Sequence, residues 1–388
     1  RNPEENYTWD EKQWRDKFKN RMLVPPPFTL NLPLKEVTLA EMLKGQGYTT
    51  AITGKWHVAS HYKEYNGWNP DYGPSKQGFD WTADTFGEFK PSSEENITDK
   101  GTFPPDELTN KAIEFLRKDH QQPFFLYVSH YLVHAPLGKR IKWLIDKYKH
   151  KAKSSESEQK ITYAAFVELM DHYVGQLLDA IDEAGLSKNT LVICTSDNGG
   201  MPEFAYNRPL RGSKWNLYEG GVRIPMILRW PGKVSEGAIC TSPVIQTDFM
   251  RTFYEIAGGG SIKKVGIDGL SIVPLLNGNG SFEFEKRILV WHFPYYHPEG
   301  MKYGKAPDSI GMEDGYISKT TPQSSIRKGK FKLIYFYETA RSELYDLQDD
   351  PAEQHDVSSI LQQESEEMKK ELFSYLSRVK ARLPKRNI

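Results

Sequence analysis

The chain has 388 residues with 38% hydrophobic content, enough to bury one large core, or one large and one small. Lys plus Arg and Asp plus Glu both number 51, so the formal net charge is zero, which excludes a global electrostatic attraction to nucleic acid or to an anionic membrane surface. No run approaches the ~20 apolar residues of a membrane span, and two cysteines, Cys194 and Cys240, are too few for a disulfide framework.

Residues 1–36 are polar, aromatic and proline-rich (Pro25, Pro26, Pro27, Pro33) with little periodicity, which predicts an extended surface segment. The opening has no signal-peptide pattern and begins with Arg1, so the reading expects a processed, trimmed or partial chain. Thr38 then opens a helix, Glu41 completes a capping box, and Leu39, Met42 and Leu43 form its apolar face up to Gly45 and Gly47. A strand follows over 48–53, a helix over 106–118 and an apolar strand over 123–129. The lysine-rich run 139–153 could attract anions locally, but reads first as a solvated helix face or a mobile loop.

A long helix over 162–184 carries Phe166, Met170, Tyr173, Leu177 and Ile181 on one stripe and stops at Gly185. The run 190–195 is unbroken and apolar, which predicts a parallel strand covered on both faces with Cys194 as a buried thiol. Another strand is expected over 222–230 and a helix over 247–257. After residue 280 come aromatic strands over 287–293 and 330–337, a turn-flanked segment over 343–347 and a charged amphipathic helix over 359–383. The alternation predicts an α/β fold: a mostly parallel sheet sandwiched by helices over 1–280, then a smaller antiparallel sheet with one helix over 281–388.

In open parallel sheets ligands bind beyond the carboxyl ends of the strands, and three polar patches sit there. Lys55 and His57 follow the strand ending at Thr53, His130 and His134 follow the one ending at Ser129, and Asp197 and Asn198 follow the one ending at Thr195. Each alone reads as a solvated lysine, a loop histidine or a turn; together, and with Lys214, they are what a site needs to hold a cation beside an anionic ester. Asp197 and Asn198 offer one charged and one neutral oxygen, suited to Ca2+, less so to Mg2+, and ill suited to zinc. Tyr and Trp, at 21 and 9 residues, suit a groove that takes sugars.

Five segments carry a resemblance: Gly54-Lys55-Trp56-His57, His134-Ala135-Pro136, Ser196-Asp197-Asn198-Gly199, the GSK-x5-GG-x-R-x-P stretch from Gly212 to Pro225, and Glu343 to Glu353. In order and spacing they resemble the formylglycine-dependent sulfatases of the alkaline phosphatase superfamily, nearest the bacterial polysaccharide and N-acetylhexosamine sulfatases. The resemblance implies an alkaline phosphatase-like fold, a sulfated carbohydrate as substrate, Ca2+ on Asp197 and Asn198, and a periplasmic or extracellular location. It implies that Lys55 and Lys214 bind sulfate oxygens, that His57 holds the nucleophile, and that His134 protonates the leaving alcohol. His130 has no matched role and reads as a structural or rim residue.

The family pattern also has an N-terminal strand with two aspartates and a Cys-x-Pro-x-Arg or Ser-x-Pro-x-Arg nucleophile motif, and neither Cys194 nor Cys240 has that context. The reading therefore expects that segment to be missing from this chain, which alone should be inactive, with its own N-terminal fragment as a possible partner. His292 and His297 are candidates for substrate contact, or members of an aromatic turn; Arg208 and Arg211 face a sulfated sugar or cap their loop. The alternatives are a phosphonate or phosphodiester hydrolase of the same superfamily, or a non-catalytic sulfated-glycan-binding relic.

Overall fold

The computed structural model describes residues 11–64, 66–85, 97–259, 268–276, 282–296 and 320–388. His297 lies outside them. The described chain opens on helix α1 (Glu11–Lys17) and strand β1 (Leu23–Val24), and here the surface-segment expectation is corrected: Trp14, Leu23 and Val24 are buried. Trp14 stacks on Tyr296 and donates its indole N–H to the Leu23 carbonyl at 3.3 Å, while β1 pairs with Arg386 and Lys385 at the far end of the chain. A partner hundreds of residues away supplies this apolar surface, and local periodicity cannot register it.

Helix α2 (Leu39–Lys44) starts where its cap predicts. Thr38 Oγ1 accepts from Glu41 N at 3.2 Å and the Glu41 carboxylate accepts from Thr38 N at 2.8 Å, a reciprocal cap worth about 1 kcal/mol. The chain continues through β2 (Thr49–Gly54), β3 (Trp81–Ala83), α3 (Glu107–Leu116), β4 (Phe124–Ser129), α4 (Lys142–Lys151) and α5 (Glu158–Glu183). Strand β2 lies between β3 and β4 and parallel to both, with Thr53 opposite Ala83 and Val128, and Gly54 opposite Ser129.

Side chains alternate across this sheet, so Ile52 and Phe125 pack with Ala40 of α2, while Phe124 and Leu126 pack under Leu116 of α3 and Ala180 and Ile181 of α5. Helices thus cover both faces, as the alternation predicts. The lysine-rich run also behaves as expected: α4 buries Leu144 and Ile145 against α5 and leaves Lys142, Lys149 and Lys151 exposed.

Strand β5 (Val192–Thr195) departs from expectation. It pairs antiparallel with β6 (Met226–Arg229), and the stretch expected as one strand over 222–230 begins as a single helical turn, α6 (Glu219–Val222). Among the described residues the other edge of β5 has no strand beside it, and Cys194 is exposed rather than buried. Val192 of β5 packs under the same α3 and α5 surface as Phe124 and Leu126, yet no ladder joins β4 to β5. Helix α7 (Asp248–Ile256) lies on the opposite face, the Phe253 ring 6.0 Å from Phe125.

After α8 (Phe282–Lys286), strands β7 (Ile288–Phe293), β8 (Gln323–Lys328), β9 (Phe331–Phe336) and β10 (Arg341–Asp346) form an antiparallel meander in spatial order β10-β9-β8-β7. Helix α9 (Gln362–Arg378) sets Met368, Leu372 and Leu376 on Ile326, Leu333 and Leu344, and β11 (Lys385–Arg386) closes on β1. The expected antiparallel sheet with one helix is present. The missed strand is β8, where three of the four buried positions, Gln323, Ser324 and Ser325, are polar and only Ile326 is apolar, too little for a hydrophobic signal. Among the described residues no helix is long and apolar enough to cross a membrane.

Candidate active site

Three strand ends converge on one place. Gly54 has φ +93°, and a Cβ there would sit 2.1 Å from the Ser129 carbonyl, so only glycine lets β2 leave the sheet this close to β4. Lys55 N donates to that same carbonyl at 2.8 Å, which sets Lys55 and then His57 beyond the sheet. His134 comes from the loop after β4, with its backbone N–H on the Tyr131 carbonyl at 2.7 Å. Asp197 and Asn198 come from the loop after β5.

Lys214 arrives by an interlock of two glycine motifs. Gly199 N donates to Gly221 O at 2.9 Å, Lys214 N to Gly200 O at 3.1 Å, and Gly220 N to Arg211 O at 2.6 Å. A Cβ on Gly199 would lie 1.8 Å from the Gly220 carbonyl, so the two backbones touch with no room for a side chain. Trp215, beside Lys214, holds φ +83°, a left-handed value costing a non-glycine residue roughly 1–2 kcal/mol.

Lys55, His57, His134, Asp197 and Lys214 act on one another electrostatically. Burial holds the Lys55 ammonium below its ordinary range, Asp197 opposes that, and Lys214 adds to it. Burial first, then Lys55, His61, the other imidazole and Lys214, brings His57 down to about 4. Burial, then Lys55 and Lys214, brings His134 to about 4 against the opposing pull of Ala135 and Asp197. A partly desolvated Lys55 therefore stands with Lys214 beside two neutral imidazoles, and an anion placed among them relieves the desolvated groups.

His134 Nδ1 lies 2.5 Å from the Ala135 carbonyl. A carbonyl only accepts, so this nitrogen carries the proton in the neutral ring and Nε2 is left to exchange one. The His57 ring stacks on His61 with centroids 5.2 Å apart, and His61 Nδ1 accepts from Asn66 N at 3.1 Å. The sequence reading missed His61, which follows no strand end and belongs to no motif.

Other expected site residues lie elsewhere. His130 is half-buried near Asp106, the residue that caps α3 by accepting from Thr109 N at 2.8 Å, a structural placement consistent with its reading. Of the two readings of Arg211, loop-fastening is the one its contacts support: its guanidinium donates to Tyr345 Oη at 3.1 Å and Glu353 O at 2.7 Å and lies 4.7 Å over the Tyr218 ring. For His292 the contacts favour the structural alternative, because Nδ1 bonds Ser324 Oγ at 2.6 Å and Nε2 bonds Arg382 O at 3.0 Å, which occupies both ring nitrogens within the C-terminal sheet region. His297 lies outside the described residues.

Asn198 donates through Nδ2 to Gly199 O at 2.9 Å, which leaves Oδ1 as the side-chain oxygen a cation would meet. Among the described residues no three His, Cys, Asp or Glu side chains are placed to hold a metal. Calcium takes about 6–8 oxygens, so the two side chains present do not by themselves fit a calcium ion.

The family model described as sulfatase matches residues 17–259, and that of the C-terminal region of N-sulphoglucosamine sulphohydrolase matches residues 213–308. A sulfatase of Formosa agariphila is 35% identical over 61% of this chain and 42% of its own length. The N-acetylgalactosamine-6-sulfatase of Mus musculus is 30% identical over 63% and 49%. The crystal structure of Ps i-CgsB in complex with k-i-k-neocarrahexaose shares the fold at TM-score 0.66 and 22% identity, over 91% of this chain and 77% of that one. The chain spans about half the length of the curated relatives it matches. With the sulfatase model matching residues 17–259 and all the converging strand-end residues falling inside that range, this chain belongs to the sulfatase family.

Proposed function

We propose that this chain carries the cationic and proton-transferring part of a site that hydrolyses sulfate monoesters of a carbohydrate. The observation that carries the reading is the convergence of Lys55, His57 and His134 from separate strand ends, with Lys214 from the loop before α6, beside Asp197, with Lys55 and both histidines biased by burial and neighbouring positive charge toward accepting an anion. Lys55 and Lys214 bind the sulfate oxygens and neutralise charge that grows on them as the ester bond breaks. His134 gives a proton from Nε2 to the departing sugar oxygen, and bound sulfate raises its basicity enough to hold that proton. His57 hydrogen-bonds the nucleophile's hydroxyl.

The nucleophile of this reading is a formylglycine that these 388 residues do not carry in the family's motif. Asp197 and Asn198 would supply part of a calcium shell and do not complete one, so none of these steps runs through the metal. The unladdered space between β4 and β5, roofed by α3 and α5, supports a further strand fitting there. The kinship with sulfatases of amino sugars and the fold shared with a neocarrahexaose-bound protein support a sulfated sugar as substrate, acted on in the periplasm or outside the cell.

The test is release of inorganic sulfate from a panel of sulfated mono- and oligosaccharides by the protein purified from its source, compared with Lys55→Ala and Lys214→Ala. Each variant is expected to lose on the order of 100- to 1000-fold in kcat. Wild-type inactivity across the panel, or unchanged rates in both variants, overturns the reading.

A further inference from the structure

Lys214 belongs to a loop whose two ends are fastened to the C-terminal sheet by groups the catalytic reading does not use. Lys332 on β9 is 0% exposed, and its Nζ lies 2.9 Å from Glu219 Oε1 and 3.0 Å from Glu353 Oε1. Glu353, also 0% exposed, accepts the Glu219 backbone N–H through Oε2 at 2.6 Å. Its own carbonyl takes Arg211 Nη1 at 2.7 Å, and Tyr345 Oη takes the same nitrogen at 3.1 Å. Tyr345 and Tyr218 both donate to Glu343. Arg211 and Glu219 thus bracket residues 212–218 with Lys214 among them, and Leu217 N is held by Gln323 Oε1 at 3.0 Å from β8.

A buried ammonium between two buried carboxylates is an expensive arrangement, and a well-packed apolar trio would hold the two units together as well or better. What charged, directional partners add is position. Glu353 has φ +53°, an uncommon left-handed value for a non-glycine residue, and that conformation presents its carboxylate to Glu219 while its carbonyl meets Arg211.

We propose that Lys332, Glu353 and Glu219 are positioning residues for Lys214. The C-terminal sheet fixes the 211–221 loop through them, so that the lysine stands opposite Lys55 with its backbone on Gly200. Only the benefit to sulfate binding rests on the proposed function; the fixing of the loop does not.

The test is hydrogen–deuterium exchange of the full chain, following peptides across 211–222 against control peptides across β2 and β4. In Lys332→Met, exchange of 211–222 is expected to rise on the order of a hundredfold or more, as breaking a buried ion pair implies, while the control peptides hold. Adding Glu353→Gln, whose amide can bridge to Glu219 without the cation, should restore part of the protection. Glu353→Gln alone keeps an acceptor for Glu219 N and removes the charge paired with Lys332; it should raise exchange in the same peptides by about two- to tenfold, and it decides the matter should Lys332→Met fail to fold. Unchanged exchange at 211–222 in the folded variants overturns the proposal. Titration with inorganic sulfate separates the two readings: a protected wild-type loop that loosens in Lys332→Met but binds no sulfate counts against the sulfatase reading alone.

Discussion

The backbone N–H of Lys214 donates to the carbonyl of Gly200 at 3.1 Å, so the lysine and the Asp197–Asn198 turn are parts of one backbone unit. The contact exists because Gly199 and Gly220 have no side chains to keep the strands of that unit apart.

Gly199→Ala tests that packing directly. Its new Cβ would meet the Gly220 carbonyl at 1.8 Å, and the overpacking is expected to cost about 1–3 kcal/mol in urea denaturation. Gly175→Ala makes the same chemical change inside α5 with nothing within 4 Å; there the expected result is a gain of about 0.5–1 kcal/mol. Equal effects at the two positions would contradict the interlock.

His57 and His134 stand near 4 in the folded chain, against an ordinary value of about 6.5. Between those values the unfolded chain binds protons that the folded chain refuses, so stability rises with pH through this window and is fully present above about 6.5. Sulfate bound between Lys55 and Lys214 raises both histidines and narrows the difference. Its stabilising effect in thermal melts is therefore expected to grow as the pH falls from about 7.5 to about 5. A sulfate effect that shrinks over that range contradicts the placement of the imidazoles beside the anion.

Arg287 and Asp248 form a bidentate pair at 2.7 Å, and Asp248, 0% exposed, also accepts from Ile245 N and Leu270 N at 2.9 Å. Arg287→Met leaves that buried carboxylate without its cation, and the expected loss is about 3–5 kcal/mol in the urea midpoint analysis. A loss below about 1 kcal/mol would show that the backbone donors suffice.

The sequence made the parallel sheet and the site readable for one physical reason: apolar runs end at Thr53, Ser129 and Thr195, and the chemistry stands just beyond each end. It hid what depends on distant partners. Trp14 is buried by Tyr296 from within a polar stretch, and β8 buries Gln323, Ser324 and Ser325 with Ile326 as its one apolar core residue, so neither segment shows hydrophobic periodicity. Arg211 looked like a substrate contact because it precedes Lys214, but its partners are Tyr345 and Glu353, over 130 residues away. Composition likewise gave no sign that β5 runs antiparallel to β6, since an apolar run reads alike in either direction.

The most direct measurement is the dependence of a His134→Ala variant on the leaving group. If His134 protonates the departing oxygen, the protein purified from its source should lose on the order of 100- to 10,000-fold in kcat on a sugar sulfate, whose alkoxide needs the proton. On para-nitrophenyl sulfate, whose phenolate leaves unaided, it should lose far less. An equal loss on both substrates, or none on the sugar sulfate, would contradict the assignment of His134 and with it the proposed site.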